Sequence, residues 1–200
     1  MTGASHLNEE LWTYLWLWLP APPGDVLDVG CGGGTSTRVL RERGYCALGV
    51  DPAAPDEPGF LRAGLEELDR TGEFDAAIAI RSLHHVHGLE RGVDALADAL
   101  RPEARLVVFE FAIEAVDGAA LRWCDSNGLR RPPRPESARD VTPLAEVRLA
   151  LERRFRPLAE TPVPYHALEA ERPDLEAAER AEIAAGRLLP AGSRLAYVRV

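Results

Sequence analysis

The chain has 200 residues, room for one domain with a sizeable core, and its 46% hydrophobic and 28% charged content is that of a soluble globular protein. With 32 acidic against 23 basic side chains the net charge is −9, which argues against a phosphate-backbone partner, although Arg130, Arg131 and Arg134 form a local basic group. Cys31, Cys46 and Cys124 are odd in number and show neither metal-ligand spacing nor a disulfide framework, so no metal is expected and a reducing cytosol is the default compartment.

The first residues lack the basic–apolar–cleavage pattern of a signal peptide. The run "LWTYLWLWLPAPP", from Leu11, is too short to span a bilayer and reads as a helix ended by Pro20. Two readings of residues 1–20 stand side by side. The aromatic face packs on the domain, or it forms a lid over a ligand cleft with Trp12, Tyr14, Trp16 and Trp18, Tyr14 and Trp18 towards substrate. A membrane-surface helix is disfavoured, because no lysine or arginine lies among its first residues.

Short apolar runs then predict strands at Asp25–Val29, Cys46–Val50, Phe60–Ala63, Phe74–Ile80 and Arg105–Phe111, as expected of parallel strands covered on both faces. Helical patterns fall between them at Thr35–Arg43, Leu65–Asp69 and Leu89–Leu100. The last places Leu89, Val93, Leu96, Ala97 and Leu100 on one face. Beyond Phe111 the alternation changes. An insertion over 112–142 holds a helical stretch, Val116–Trp123, and the loop "SNGLRRPPRPESARD". A helix over Pro143–Arg153 follows, with Thr142 as N-cap. "RPLAETPVPY" carries prolines and predicts an edge strand. "HALEAERPDLEAAERAEIAAG" reads as mostly solvated helix, Asp174–Ala185, ended at Gly186, and "SRLAYVRV" as a final strand. The order is that of one α/β domain with a largely parallel sheet.

The first strand ends in a knot of glycines, "DVLDVGCGGGTSTRVL", with Gly30, Gly32, Gly33 and Gly34 almost in a row. Each glycine in an ordered element costs roughly 0.5–1 kcal/mol against alanine, so the cluster implies a backbone that comes very close to something. The pattern is D-x-G-x-G-x-G (Asp28, Gly30, Gly32, Gly34). A dinucleotide fingerprint would place a third glycine where Thr35 stands, which disfavours an NAD-dependent oxidoreductase. A second acid, Asp51, ends the next strand, at the spacing of a ribose-binding carboxylate.

Over nearly its whole length the sequence resembles the class I S-adenosylmethionine (SAM)-dependent methyltransferases. "VLDVGCGGG", "GVD", "FDAAIAIRSLHHV" and "LRPEARLVVFEF" match that family's successive motifs in order and spacing. The resemblance implies a doubly wound, mostly parallel seven-stranded sheet of order 3-2-1-4-5-7-6, its last strand antiparallel, with helices on both faces. It implies SAM as cofactor and S-adenosylhomocysteine as product. Gly30, Cys31, Gly32 and Gly34 would lie against the methionine portion, with Asp28 helping to hold the amino group through water. Asp51, followed by Pro52, would accept the ribose hydroxyls, and the Leu65 N–H would meet adenine. Arg81 and Ser82 would stand beside the methionine end. One departure is visible. In "AGLEEL", Gly64 occupies the place where relatives carry the acid that reads the adenine amino group, and Glu66 lies two residues out of register.

"IRSLHHVHG" would line the methyl-transfer site. His84 and His85 are candidate general bases, since an imidazole titrates near neutrality. Lining without proton transfer, or a scaffold role, fits the same residues, and His87 is expected to face solvent. Glu110, at the end of the fifth strand, and Trp123, in the insertion beside Cys124 and Asp125, are candidates for the substrate wall; core packing is the other fate of Trp123. With no added recognition domain and no basic platform, a small-molecule acceptor at oxygen, nitrogen or activated carbon is expected, with no nucleic-acid or membrane partner. A non-catalytic SAM-binding or interaction protein is the second alternative.

Overall fold

The computed structural model describes residues 9–136, 138 and 140–200. Its strands are β1 (Asp25–Val29), β2 (Cys46–Val50), β3 (Phe60–Leu61), β4 (Phe74–Ile80), β5 (Leu100–Phe111), β6 (Phe155–Val163) and β7 (Gly192–Arg199). Its helices are α1 (Glu9–Trp18), α2 (Thr35–Glu42), α3 (Leu89–Ala99), α4 (Gly118–Ser126), α5 (Leu144–Glu152), α6 (His166–Glu169) and α7 (Pro173–Ala184). The strands form one sheet in the order β3-β2-β1-β4-β5-β7-β6, with β7 antiparallel to both neighbours and β1 to β5 parallel. This is the predicted order. Chain direction across the sheet switches between β1 and β4, where open α/β sheets leave a crevice at the carboxyl ends of their strands.

Successive residues of each central strand serve opposite cores. Leu27, Ala77, Leu106 and Val108 pack with Val93 and Leu96 of α3 and Val147 and Leu151 of α5. Val26, Ala76, Ile78, Val107 and Phe109 pack with Leu11 and Leu15 of α1, Leu40 of α2, and Ala120 and Leu121 of α4. Burial on both faces is why β1 and β4 read as unbroken apolar runs.

Three points are decided by the packing. First, of the two readings of the N-terminal segment, the described residues of α1 take the packing one. Leu11, Leu15 and Leu19, spaced four apart, bury one stripe against the sheet. Trp12 stacks on Trp16 at 5.0 Å between centroids, and Trp16 stacks on Tyr45 at 6.2 Å. Tyr45 stands just before β2, at the amino edge of the sheet and away from the crevice, and its hydroxyl donates to the Pro20 carbonyl at 2.6 Å. The first eight residues of the segment read as a lid lie outside the described residues.

Second, Thr142 does not cap α5. Its backbone N–H donates to the His84 carbonyl at 2.8 Å, and Pro143 takes the cap position. The open N–H groups of Leu144 and Ala145 are met instead by the Glu114 carboxylate, at 3.1 and 3.0 Å, from across the fold. Third, the stretch read as one solvated helix is two helices, α6 and α7, broken where Pro173 opens the second. It is also not solvated throughout. Glu179 is fully buried and accepts the N–H groups of Tyr165, His166 and Ala167 at 2.8, 3.0 and 2.8 Å, holding the start of α6.

Candidate cofactor and acceptor site

The glycine cluster divides into two jobs. Gly30 (φ +70°) and Gly34 (φ +82°) are required by protein contacts. A Cβ on Gly30 would overlap the Ser82 side chain, whose hydroxyl donates to the Val29 carbonyl at 2.8 Å, and a Cβ on Gly34 would stand 2.5 Å from the Phe60 ring. Gly32 (φ +50°) has no protein atom within 4 Å of where its Cβ would lie, and the same holds for Gly33. The turn is therefore fixed at its ends and presents bare backbone to open space at its middle. That room suits a cofactor laid against the turn. Gly49 in β2 is a requirement that the sequence reading missed: a Cβ there would meet Thr37 at 2.5 Å and Cys31 and Phe60 at 2.8 Å, so α2 closes on the sheet over it.

The three candidate acids separate by burial. Asp28 is 1% exposed, and its Oδ2 accepts both the Ser36 and Thr37 hydroxyls at 2.6 Å. It lies behind the turn and holds the first residues of α2, so it presents no open side chain to the cleft. Burial pushes its carboxyl up to about 6, against the two hydroxyl donors that pull it down. Asp51 is half-buried and faces the cleft; its carboxylate accepts the N–H groups of Gly32 and Ala53 at 3.1 and 2.7 Å, tying the ends of β1 and β2 together. Glu66 folds back over Gly64. A Cβ built there would stand 2.7 Å from the Glu66 carboxylate, so Glu66 fills the space that a side chain at position 64 would use. Cys31 is buried and its thiol is pushed up to about 12 by burial and by Asp28 and Asp51, a packed group rather than a nucleophile.

The loop after β4 is anchored by Glu110. This carboxylate is fully buried, accepts the N–H groups of Ser82 and Leu83 at 3.0 and 2.7 Å, and pairs with Nδ1 of His84. Glu110 is thus an internal strut and not the substrate wall expected of it. His84 is 5% exposed and its ring lies edge-on to Phe111 at 6.1 Å. His85, next in sequence, is exposed and faces the cleft, its ring 4.0 Å from that of His84 and its Nδ1 3.3 Å from the Asp140 carbonyl. A carbonyl only accepts, so that contact puts the neutral ring's proton on Nδ1 and leaves Nε2 basic.

A cavity of about 230 Å³ at this edge is lined by Gly30, Asp51, Pro52, Leu65, Glu66, Arg81, Ser82 and His85 from the expected set, together with Val29, Val50, Ala63, Gly64, Val86 and His87. His87 is exposed at the rim, as expected. Four expected substrate residues stand elsewhere. Tyr14 and Trp18 belong to the packed face of α1, with rings 6.4 Å apart, Glu110 lies beneath the loop, and Trp123 packs beside His166 in a groove between α4 and α7. Large aromatics at helical spacing find packing partners as readily as ligands, and sequence spacing does not separate the two. Among the described residues no group of His, Cys, Asp and Glu is arranged to hold a metal, and no helix is long and apolar enough to cross a membrane.

A seven-stranded sheet of this order, with a glycine turn after β1, an acid facing the cleft after β2 and room over the turn, is the Rossmann-like fold of SAM-dependent methyltransferases. The chain belongs to the methyltransferase domain family, whose profile matches residues 4–146. It is 30% identical over 101 residues to the mitochondrial ubiquinone biosynthesis O-methyltransferase of Bos taurus, covering 42% of this chain and 27% of that protein. It is 29% identical over 157 residues to the tRNA U34 carboxymethyltransferase of Tolumonas auensis, covering 65% of this chain and 48% of that protein. Both matches span less than half of the relatives' own length. The SAM-dependent methyltransferase from Mesorhizobium loti shares the fold, with a TM-score of 0.66 at 23% identity over 98% of this chain and 100% of that one.

Proposed function

We propose that this protein transfers a methyl group from SAM to a small-molecule acceptor, at oxygen, nitrogen or an activated carbon. The observation that carries the reading is the meeting of Asp51, Ser82 and His85 in one cleft beside the bare backbone of Gly32. SAM supplies a methyl group on a sulfonium that is already a good leaving group. The protein's share is to hold the acceptor in line and, for oxygen or nitrogen, to take a proton. Asp51 suits the ribose hydroxyls. Leu65 opens a 3₁₀ turn, Leu65–Glu67, and lines the cleft with Glu66 alongside; its N–H, with no partner within the turn, is the donor we assign to adenine. His85, open to the cleft with Nε2 basic, is the group placed to accept a proton. His84, clamped to Glu110, positions it. Three free cysteines fit a reducing compartment, and we place the protein in the cytosol on that ground.

One relative is named for a tRNA substrate, so RNA is the second reading. The net charge of −9 and the acids Asp51 and Glu66 in the cleft disfavour a polyanionic acceptor such as RNA and favour a compact one. Transfer of labelled methyl from SAM is measured against phenols, amines, enolisable acids and bulk tRNA. The expected result is transfer to a small acceptor. Transfer to tRNA alone overturns the small-molecule reading, and SAM binding with no transfer to any of them favours a binding protein. His85→Ala is expected to lose roughly 10²–10⁴ in turnover at unchanged SAM affinity; a loss below about tenfold removes general-base catalysis by His85.

A further inference from the structure

Arg81 follows directly on β4 and has a left-handed backbone, φ +54°. That conformation is strained for a residue with a Cβ. Local hydrogen bonds impose it: Arg81 N–H donates to the Phe109 carbonyl at 2.7 Å, and the next two N–H groups are taken by Glu110. Glycine would sit there without strain. What arginine adds is a basic side chain on a lining residue of the cleft, the only arginine among the described lining residues, which also include Asp51 and Glu66.

The guanidinium is held by an ion pair with Glu169, the last residue of α6. The Glu169 side chain is 56% exposed and that of Arg81 27%. A pair so open to water is weak. Glu169 is otherwise steadied by one long hydrogen bond, from the Tyr165 hydroxyl at 3.3 Å. A carboxylate arriving in the cleft therefore meets an arginine rooted by the backbone at the cleft, with a weakly held counter-ion to displace. Bidentate Arg–carboxylate pairs are among the stronger polar contacts, and the planar fork loses little freedom per hydrogen bond formed.

We propose that Arg81 is a carboxylate-binding residue of this cleft and that Glu169 is its displaceable counter-ion. The proposal rests on the methyltransferase reading of the cleft. The carboxylate has two possible sources, the amino-acid end of the cofactor and an acidic acceptor, and one set of titrations separates them. Wild type, Arg81→Gln and Glu169→Gln are titrated with S-adenosylhomocysteine, with its decarboxylated analogue, and with benzoate on the S-adenosylhomocysteine complex. In either case Arg81→Gln weakens the carboxylate ligand about tenfold or more, and Glu169→Gln tightens it several-fold. If the cofactor is the source, both shifts appear with S-adenosylhomocysteine and vanish with the decarboxylated analogue. If the acceptor is the source, S-adenosylhomocysteine affinity is unchanged and the shifts appear with benzoate. A purely structural latch between β4 and α6 is opened by either variant, so it predicts shifts of the same sign in both. That outcome, or no shift with any ligand, overturns the proposal alone. Failure of the wild type to bind S-adenosylhomocysteine overturns both this and the methyltransferase reading.

Discussion

At residue scale, the buried carboxyl of Asp28 makes a prediction whose sign is unusual for an acid. Its folded value, about 6, lies above the ordinary 3.8, so between these values the folded protein holds the proton that the unfolded chain releases. Stability from this group therefore falls as pH rises through that window and stays lowered above it. Two units correspond to about 3 kcal/mol. Asp28→Asn keeps an acceptor for Ser36 and Thr37 and should be about 1–3 kcal/mol more stable than wild type at pH 7.5, with the gain gone near pH 4, by urea unfolding at both. Lack of a gain at pH 7.5 would mean that the carboxylate is not paying for its burial. Because Asp28 lies behind the turn and Asp51 in the cleft, Asp51→Ala should cost the larger share of SAM affinity, about 10- to 100-fold by calorimetry, given charge-assisted bonds of about 1.5–3 kcal/mol. The glycines separate in the same manner. Gly30→Ala drives a Cβ into Ser82 and should unfold early, whereas Gly32→Ala carries mainly left-handed strain of about 1 kcal/mol and should fold but bind SAM poorly; thermal melting and calorimetry on the same samples distinguish them.

At the scale of elements, α1 and α6 show what local pattern misses. The run from Leu11 to Leu19 was legible as helix, but its direction was not, because an aromatic helix packs as readily on a sheet as over a cleft. With Leu15 fully buried, Leu15→Ala should cost about 2–5 kcal/mol in denaturant unfolding while leaving SAM affinity unchanged. A change in cofactor affinity without loss of stability would restore the lid. The segment from His166 looked solvated because Glu, Ala and Arg dominate it, yet Glu179 turns inward to take three backbone donors. Its neighbour His166 is 5% exposed, and burial lowers its proton affinity, with Glu179 acting in the opposite sense. A base with a lowered folded value contributes stability in full above its unfolded value near 6.5 and loses it as pH falls below that. His166→Gln should therefore flatten the acid side of the stability curve from about pH 6.5 downward. An unchanged curve would mean that the imidazole is not desolvated.

At the scale of the whole molecule, a ligand that binds only the folded chain stabilises it by mass action, about 2.7 kcal/mol at a hundred times its Kd. For 200 residues, each kcal/mol moves Tm by about 2–4 °C. Saturating SAM should therefore raise Tm by roughly 5–10 °C, and NAD should not; the reverse result would return the oxidoreductase that the glycine spacing disfavours. Strand positions, the order of elements and the glycine turn were legible in the sequence, because unbroken apolar runs and clustered glycines report on backbone and burial a few residues at a time. Tertiary structure decided which polar groups face the cleft. Asp28, Asp51 and Glu110 all stand at or near strand ends and look alike in sequence. One is covered by the hydroxyls of α2, one is open, and one is sealed beneath the β4 loop. His84 and His85 are adjacent, yet one is clamped to Glu110 and the other reaches the cavity. Those differences come from contacts between residues 8 to 28 positions apart and more, where the packing of one element on another sets solvation and partner, and no local pattern carries that information.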